Sequence, residues 1–164
     1  MSLFVVTGDI GTGKTSYLKD WSSVRTDVGG FLSPVIDSKR HFMLLKNSRM
    51  IAMEAALGSQ NLTFDIGKYK FLKSSFLLAT HCLITDWNAG LRYCILDEFG
   101  PLEFNNLGLM PDVLHILQSS AISKKQHLIV VVRNSLIEKF NELYTIDKLF
   151  SITELKELQT DFLD

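Results

Sequence analysis

A glycine-rich segment at residues 8–15, GDIGTGKT, constrains the fold of this chain more than any other part of it. The segment matches the pattern G-x-x-x-x-G-K-[ST] at every fixed position. The run before it, LFVVT at 3–7, has the composition of a buried strand, and the apolar spacing after it predicts a helix over about 13–21. A strand, such a loop and a helix in this order form a phosphate-binding loop, so we expect the segment to bind the phosphates of a nucleotide.

Each part of this loop has an expected task. Backbone N–H groups and the positive end of the following helix face the phosphate oxygens. The Lys14 ammonium is predicted to contact the β and γ phosphates and to act in catalysis, and the Thr15 hydroxyl is predicted to be a Mg²⁺ ligand. A glycine-rich turn with an incidental lysine is the alternative interpretation. The residues predicted to bind the nucleotide are Gly8, Asp9, Ile10, Gly11, Thr12, Gly13, Lys14, Thr15 and Ser16.

Two adjacent carboxylates follow a second apolar run. Residues 93–96, YCIL, are typical of a buried strand, and Asp97 and Glu98 come directly after them. Asp97 is predicted to hold Mg²⁺ or one of its waters, and Glu98 to polarise the attacking water as a general base. Taken alone, the pair also fits a solvated turn between a strand and a loop. The loop at 8–15 favours the metal and base interpretation.

Strands and helices alternate along the rest of the chain, which predicts one α/β domain over 1–164 with a mostly parallel sheet and helices on both faces. Short apolar runs between turn clusters predict a small antiparallel β insertion at about 28–71, after the first helix, with one of its strands at 66–71. Thr153 is expected to cap the last helix, with Glu154 in its first turn. The remaining predicted elements are helices at 74–89, 111–119 and 136–143 and strands at 127–132 and 148–152.

Composition excludes several classes of protein. The net charge is −1 from 17 Lys+Arg and 18 Asp+Glu, which gives no global basic field for nucleic acid, and 46% hydrophobic residues exclude intrinsic disorder. Apolar runs such as 128–132 are far shorter than the ~20 residues that cross a bilayer, and a loop beginning at Gly8 leaves no room for a secretory leader. Cys82 and Cys94 form no metal or disulfide pattern; core packing is favoured over a redox role. We therefore expect a cytoplasmic protein without a nucleic-acid or membrane partner.

The motifs together resemble the small P-loop nucleoside triphosphatases of thermophiles, a family with a human relative called cancer-related nucleoside triphosphatase. The resemblance covers about 3–133 and implies a RecA-like P-loop fold with a small β insertion. It also implies Mg²⁺-dependent hydrolysis of nucleoside triphosphates with loose base selectivity and no need for nucleic acid. The motifs that carry the resemblance are residues 8–15, Gly29, Gly30 and Phe31 with Pro34, Gly67 to Tyr69, and ILDEFGPLE at 95–103.

By position, Lys14, Thr15, Asp97 and Glu98 match the family's phosphate, metal and water-activating residues. The family's fourth strand ends in His-Arg, where this chain has Val132 and Arg133 and only the arginine matches. Because this strand should end at the ligand-binding edge of the sheet, Arg133 is predicted to reach the γ-phosphate in catalysis. A solvated or ion-paired arginine is the alternative. The segment after 152 matches nothing in the family.

Three functions fit these residues. The leading hypothesis is an Mg²⁺-dependent nucleoside triphosphatase. A P-loop nucleotide or small-molecule kinase shares the loop, but the five arginines of this chain form no clustered lid segment. A slow nucleotide-dependent switch acting through a protein partner is the third, and the sequence does not identify such a partner. It also leaves open whether Phe31 or Tyr69 stacks on the base or packs the insertion against the sheet.

Overall fold

The structure is a computed structural model that describes residues 1–56, 58–109, 113, 114 and 125–158. The strands are β1 Ser2–Gly8, β2 Val28–Leu32, β3 Val35–Ile36, β4 Lys39–Leu44, β5 Met50–Ala52, β6 Thr63–Ile66, β7 Tyr69–Leu72, β8 Tyr93–Phe99, β9 His127–Arg133 and β10 Lys148–Ser151. Five parallel strands form the centre of the fold, in the order β10-β1-β9-β8-β2. The strand β4 extends the sheet antiparallel to β2, and β3 and β5 both pair with β4.

Helices cover both faces of the sheet, as the alternation of elements predicts. Side chains of β1 alternate between two cores: Leu3 and Val5 face one, Phe4 and Val6 the other. The second and fourth helices pack on the first of these faces, and the first and fifth on the other. None of the described helices is long and apolar enough to cross a membrane. The helices are α1 Lys14–Ser23, α2 Lys73–Asn88, α3 Pro101–Phe104, α4 Ile137–Leu143, which follows a 3₁₀ turn at Asn134–Leu136, and α5 Ile152–Leu158.

The start of the insertion differs from the sequence prediction, which placed it at about residue 28. The strand β2 is buried throughout and pairs in parallel with β8, so it belongs to the central sheet. Gly30 has φ 87°, and a Cβ there would lie 2.2 Å from the Ile95 carbonyl oxygen. Gly30 therefore permits a close approach between β2 and β8. The antiparallel strands begin only after Leu32.

Two local predictions are also wrong. Residues 66–71 are not one strand but the end of β6, the turn and most of β7 in the β6–β7 hairpin, with Gly67 at φ 55°. The apolar alternation runs through the turn because a two-residue turn preserves the period. Thr153 does not cap the last helix: α5 begins at Ile152, and Ser151 and Glu154 exchange hydrogen bonds across its first turn. The helix predicted at 111–119 lies outside the described residues except for Val113 and Leu114, which are helical and buried.

The parallel register brings three strand ends to one edge of the sheet. Gly8 at the end of β1 is paired with Arg133 at the end of β9. The register between β8 and β9 shifts between Asp97 and Phe99, which places Glu98 in an irregularity of the strand. Irregularities of this kind redirect a side chain beside a site. The loop at 8–15 and the residues Asp97, Glu98 and Arg133 therefore meet at one carboxyl edge, where α/β sheets bind ligands.

Candidate functional site

The phosphate loop is closed around the Lys14 ammonium. Nζ of Lys14 donates hydrogen bonds of 2.7 Å to the carbonyl oxygens of Gly8 and of Asp9. Burial lowers the pKa of this lysine, while the nearby Glu98 and Asp97 carboxylates oppose that shift. Lys14 is held inside the loop from which it would reach a phosphate chain.

The rest of the loop is tied to neighbouring elements. Asn134, directly after β9, accepts a hydrogen bond from Thr7 Oγ1 at 2.8 Å and donates one to Asp9 Oδ1 at 3.0 Å. Lys156 of α5 donates to the Thr12 carbonyl at 2.6 Å. Ile10 at the tip of the loop is 78% exposed. Neither Asn134 nor Lys156 was predicted from the sequence, where the position of Asn134 beside Arg133 is the one available signal.

Thr15 and Asp97 form the oxygen pair of the site. Thr15 Oγ1 donates to Asp97 Oδ2 at 2.8 Å, and the Ser33 N–H donates to the same oxygen at 2.9 Å. Ser33 Oγ also donates to the Asp97 carbonyl. Burial raises the pKa of Asp97 to about 6, although the hydrogen bonds from Ser33 and Thr15 favour its ionised form.

This pair fits Mg²⁺ by the chemistry of its donors. A hydroxyl and a carboxylate are hard oxygen ligands, and Mg²⁺ usually takes one or two such protein groups together with phosphates and waters. Within the part of the chain that the structure describes, no cluster of three or more His, Cys, Asp or Glu side chains forms a closed metal cage. Thr15 and Asp97 are thus the residues that could hold the ion.

Two arginines flank the Glu98 carboxylate. Arg133 of β9 pairs with Oε1 of Glu98, and Nη1 of Arg40 lies 3.4 Å from Oε2. All three side chains are about one quarter exposed, so they face a solvent-accessible space. The carboxylate predicted to act as a base is therefore held between two guanidinium groups.

Arg40 is a site residue that the sequence analysis overlooked. Its neighbours 37–40 have the composition of a turn, but only Asp37 and Ser38 have positive φ, and Lys39 begins β4. The Arg40 N–H donates to Glu54 Oε1 at 3.0 Å, and its guanidinium lies 5.8 Å from the centre of the Tyr69 ring. No local sequence signal marks this residue, because the pairing of β4 with β2 brings it to the site.

Two cavities adjoin at this edge of the sheet. The larger, about 370 Å³, is lined by the phosphate loop, by Asp97 and by residues 33–35. The smaller, about 200 Å³, is mostly apolar and includes Tyr69. Four side chains line both: Ser33, Arg40, Glu98 and Arg133. Phe31 is 0% exposed within the core, so of the two aromatic candidates only Tyr69 borders a cavity.

A family model and two solved structures match this chain. The model of the family described as NTPase matches residues 3–161. The fold is similar to the crystal structure of THEP1 from the hyperthermophile Aquifex aeolicus, with a TM-score of 0.65, 14% identity, and coverage of 95% of this chain and 93% of that one. It is also similar to the solution structure of a human cancer-related nucleoside triphosphatase, with a TM-score of 0.65, 15% identity, and coverage of 97% and 98%. No curated protein matches the sequence.

Proposed function

This chain belongs to the NTPase family, and from that premise we propose that it hydrolyses nucleoside 5′-triphosphates to the diphosphate and phosphate in an Mg²⁺-dependent reaction. One observation carries the proposal: Lys14, Thr15, Asp97, Glu98 and Arg133 surround a single cavity of about 370 Å³ at the carboxyl edge of the sheet. ATP, GTP and other nucleoside triphosphates are included as substrates, following the loose base selectivity that the family resemblance implies.

The loop at 8–15 binds the phosphate chain. Its N–H groups and the N-terminus of α1 receive the anionic oxygens. Lys14 exchanges the carbonyl oxygens of Gly8 and Asp9 for the β and γ phosphates, which offer it negative charge instead of neutral dipoles. Thr15 and Asp97 hold Mg²⁺, whose contribution is to neutralise charge on the phosphates.

Glu98, Arg40 and Arg133 act in the chemical step. Arg133 and Arg40 hold Glu98 until a γ-phosphate enters and offers their guanidinium groups a more strongly charged partner. The released carboxylate then orients a water and accepts its proton. Arg133 remains on the γ-phosphate, where negative charge changes most during transfer.

The partners in this proposal are the nucleotide and Mg²⁺ alone. Neither nucleic acid nor a membrane enters it. A cytoplasmic location is part of it, because Cys82 and Cys94 are both free thiols, as is usual in a reducing compartment.

Phosphate release from ATP, GTP, CTP and UTP, with and without Mg²⁺, tests the proposal directly. We expect Mg²⁺-dependent release that Lys14→Ala abolishes, because this change removes the cation on the β and γ phosphates. Lys19→Ala, at an exposed lysine of the same helix, is the matched control and should keep the wild-type rate. Equal rates in the two lysine variants at saturating nucleotide would refute the assignment of the loop.

A further inference from the structure

The smaller cavity opens to solvent beside Arg40, Glu98 and Arg133 and is lined mostly by apolar side chains. Six apolar residues of its lining are each less than 9% exposed, and the cavity has a volume of about 200 Å³. An apolar cavity of about 150 Å³ can hold a benzene ring. The six residues are Phe42, Met53, Phe71, Phe76, Leu102 and Leu109. We refer to this space as the ring cavity.

The ring cavity lies beyond the predicted position of the γ-phosphate. Its described lining comes from β4, β6, β7, α2, α3, the ends of β8 and β9 and nearby loops, and includes no residue of the phosphate loop or of α1. It shares Glu98 and Arg133 with the larger cavity, which does contain Lys14. The γ-phosphate is the end of the triphosphate chain, so the nucleoside extends away from Glu98 and does not occupy this cavity.

The mouth of the ring cavity is polar, whereas its walls are apolar apart from the buried Glu103. Arg40, Glu98 and Arg133 stand at the border between the two cavities, and the Arg40 guanidinium lies over the Tyr69 ring. A ring inside the cavity would point a short polar arm at Glu98. A ring bound in the cavity would also displace water from beside the terminal phosphate, which favours transfer to its hydroxyl over hydrolysis while the ring is bound.

We propose that the ring cavity binds a small organic alcohol with one aromatic ring, and that the site transfers the γ-phosphoryl group to its hydroxyl. The inference rests on the proposed function, because it uses the same nucleotide and the same loop. In the step, the alcohol oxygen forms a bond to the γ-phosphorus, and the bond between that phosphorus and the β–γ bridging oxygen breaks. The diphosphate leaves with the electron pair, and Glu98 accepts the hydroxyl proton. The products are a phosphate monoester and the nucleoside diphosphate.

The test uses the full chain with [γ-³²P]ATP and Mg²⁺, with benzyl alcohol as the acceptor and toluene as a ring without a hydroxyl. Ligand-observed NMR measures binding of both rings, and chromatography measures labelled benzyl phosphate. We expect both rings to bind and only benzyl alcohol to yield a labelled ester, in an amount that saturates with alcohol concentration.

Two tryptophan substitutions test whether ring binding and ester formation depend on the ring cavity. Ile66 is half-buried and lines the ring cavity, so Ile66→Trp should fill it and lower ring binding and ester yield about tenfold or more. Leu62 lies just before the same hairpin and is 76% exposed, so Leu62→Trp is the matched control and should retain both.

The other outcomes separate this inference from the proposed function. Phosphate release without binding of either ring would overturn the inference and leave the hydrolase standing. Ring binding without ester, or ester of equal yield in Ile66→Trp, would also overturn it. Absence of any ATP turnover would instead overturn the proposed function, and the transfer with it.

Discussion

At the residue scale, the adjacent carboxylates of Asp97 and Glu98 have different surroundings. Asp97 is buried and accepts hydrogen bonds from Thr15 and Ser33, whereas Glu98 faces the cavity between Arg40 and Arg133. The irregularity of β8 at Glu98 redirects that side chain, so the two neighbouring carboxylates have different environments. This difference leads to distinct expectations for their amides.

Glu98→Gln should lower kcat by about 10²-fold or more with nearly normal nucleotide affinity, because the amide keeps the shape but cannot accept a proton. Asp97→Asn should instead raise the Mg²⁺ concentration needed for half-maximal activity, since it weakens the hold on the ion. A magnesium titration of both variants, with nucleotide binding measured in parallel, checks this. The same magnesium dependence in the two variants would contradict the division of roles.

Arg133→Ala should lower kcat by about 10-fold to 10³-fold while leaving affinity for the diphosphate almost unchanged, because the arginine acts on charge at the γ-phosphate. Lys at 133 should restore activity only partly, since an ammonium lacks the guanidinium fork. Arg40→Ala should lower kcat by a smaller factor. Arg49→Ala changes an exposed arginine and should leave kcat unchanged. The melting temperature is measured beside the kinetics. Equal losses of diphosphate and triphosphate affinity would show that Arg133 anchors the whole nucleotide or only supports the fold.

At the element scale, the final helix lies against the phosphate loop. Ile152 of α5 is close to Gly8, where an added Cβ would lie 2.6 Å from its Cγ2. Lys156, one turn further along, reaches the Thr12 carbonyl. The start of α5 depends on the exchange of hydrogen bonds between Ser151 and Glu154, and those bonds lower the pKa of the Glu154 carboxyl.

Ser151→Ala should lower the free energy of unfolding by about 1 kcal/mol, because the change leaves the first turn of α5 without its cap. Thr153→Ala provides the matched control: Thr153 is exposed and inside the helix, and its loss should have an effect within about 0.5 kcal/mol. Chemical denaturation of the three proteins measures both values. A larger loss of stability from Thr153→Ala than from Ser151→Ala would show that Thr153 caps the helix, as the sequence predicted.

At the scale of the whole molecule, a buried carboxyl links stability to pH. Glu103 is 5% exposed; its Oε2 accepts the Gly100 N–H at 2.9 Å and its Oε1 the Leu109 N–H at 3.2 Å. Burial raises the pKa of Glu103 from 4.5 to about 7, more than these hydrogen bonds lower it. The folded protein therefore holds this proton more tightly than the unfolded chain does.

The raised pKa of Glu103 in the folded protein determines whether stability rises or falls with pH. The stability due to protonated Glu103 is fully present below pH 4.5 and is lost as pH rises through about 7. We expect the free energy of unfolding to fall by roughly 1–3 kcal/mol over this range from Glu103, with Asp97 acting in the same direction. Denaturation from pH 4.5 to 8 without Mg²⁺ and nucleotide measures the slope. Glu103→Gln should flatten it, whereas Glu138→Gln, at an exposed position, should not; an unchanged slope in Glu103→Gln would rule out this origin.

Local patterns of sequence predicted the parts of this protein that depend on neighbouring residues. The phosphate loop, the helix that follows it and the carboxylates after an apolar strand are each contiguous, so motif and periodicity suffice to recognise them. The doubly covered parallel sheet followed in the same way from the alternation of strands and helices, and the fold comparisons confirm it. The nucleotide and metal roles of these residues stay predictions.

Only the tertiary structure decided which strands pair and which distant side chains meet. Arg40 reaches Glu98 across 58 positions through the pairing of β4 with β2, and Asn134 reaches Asp9 across 125. The strand β2 pairs with β8 in the central sheet, where Gly30 allows a close approach to Ile95, and local patterns of sequence do not encode this contact. Pairing and register depend on the burial of whole faces against one another, so they arise only when the chain packs.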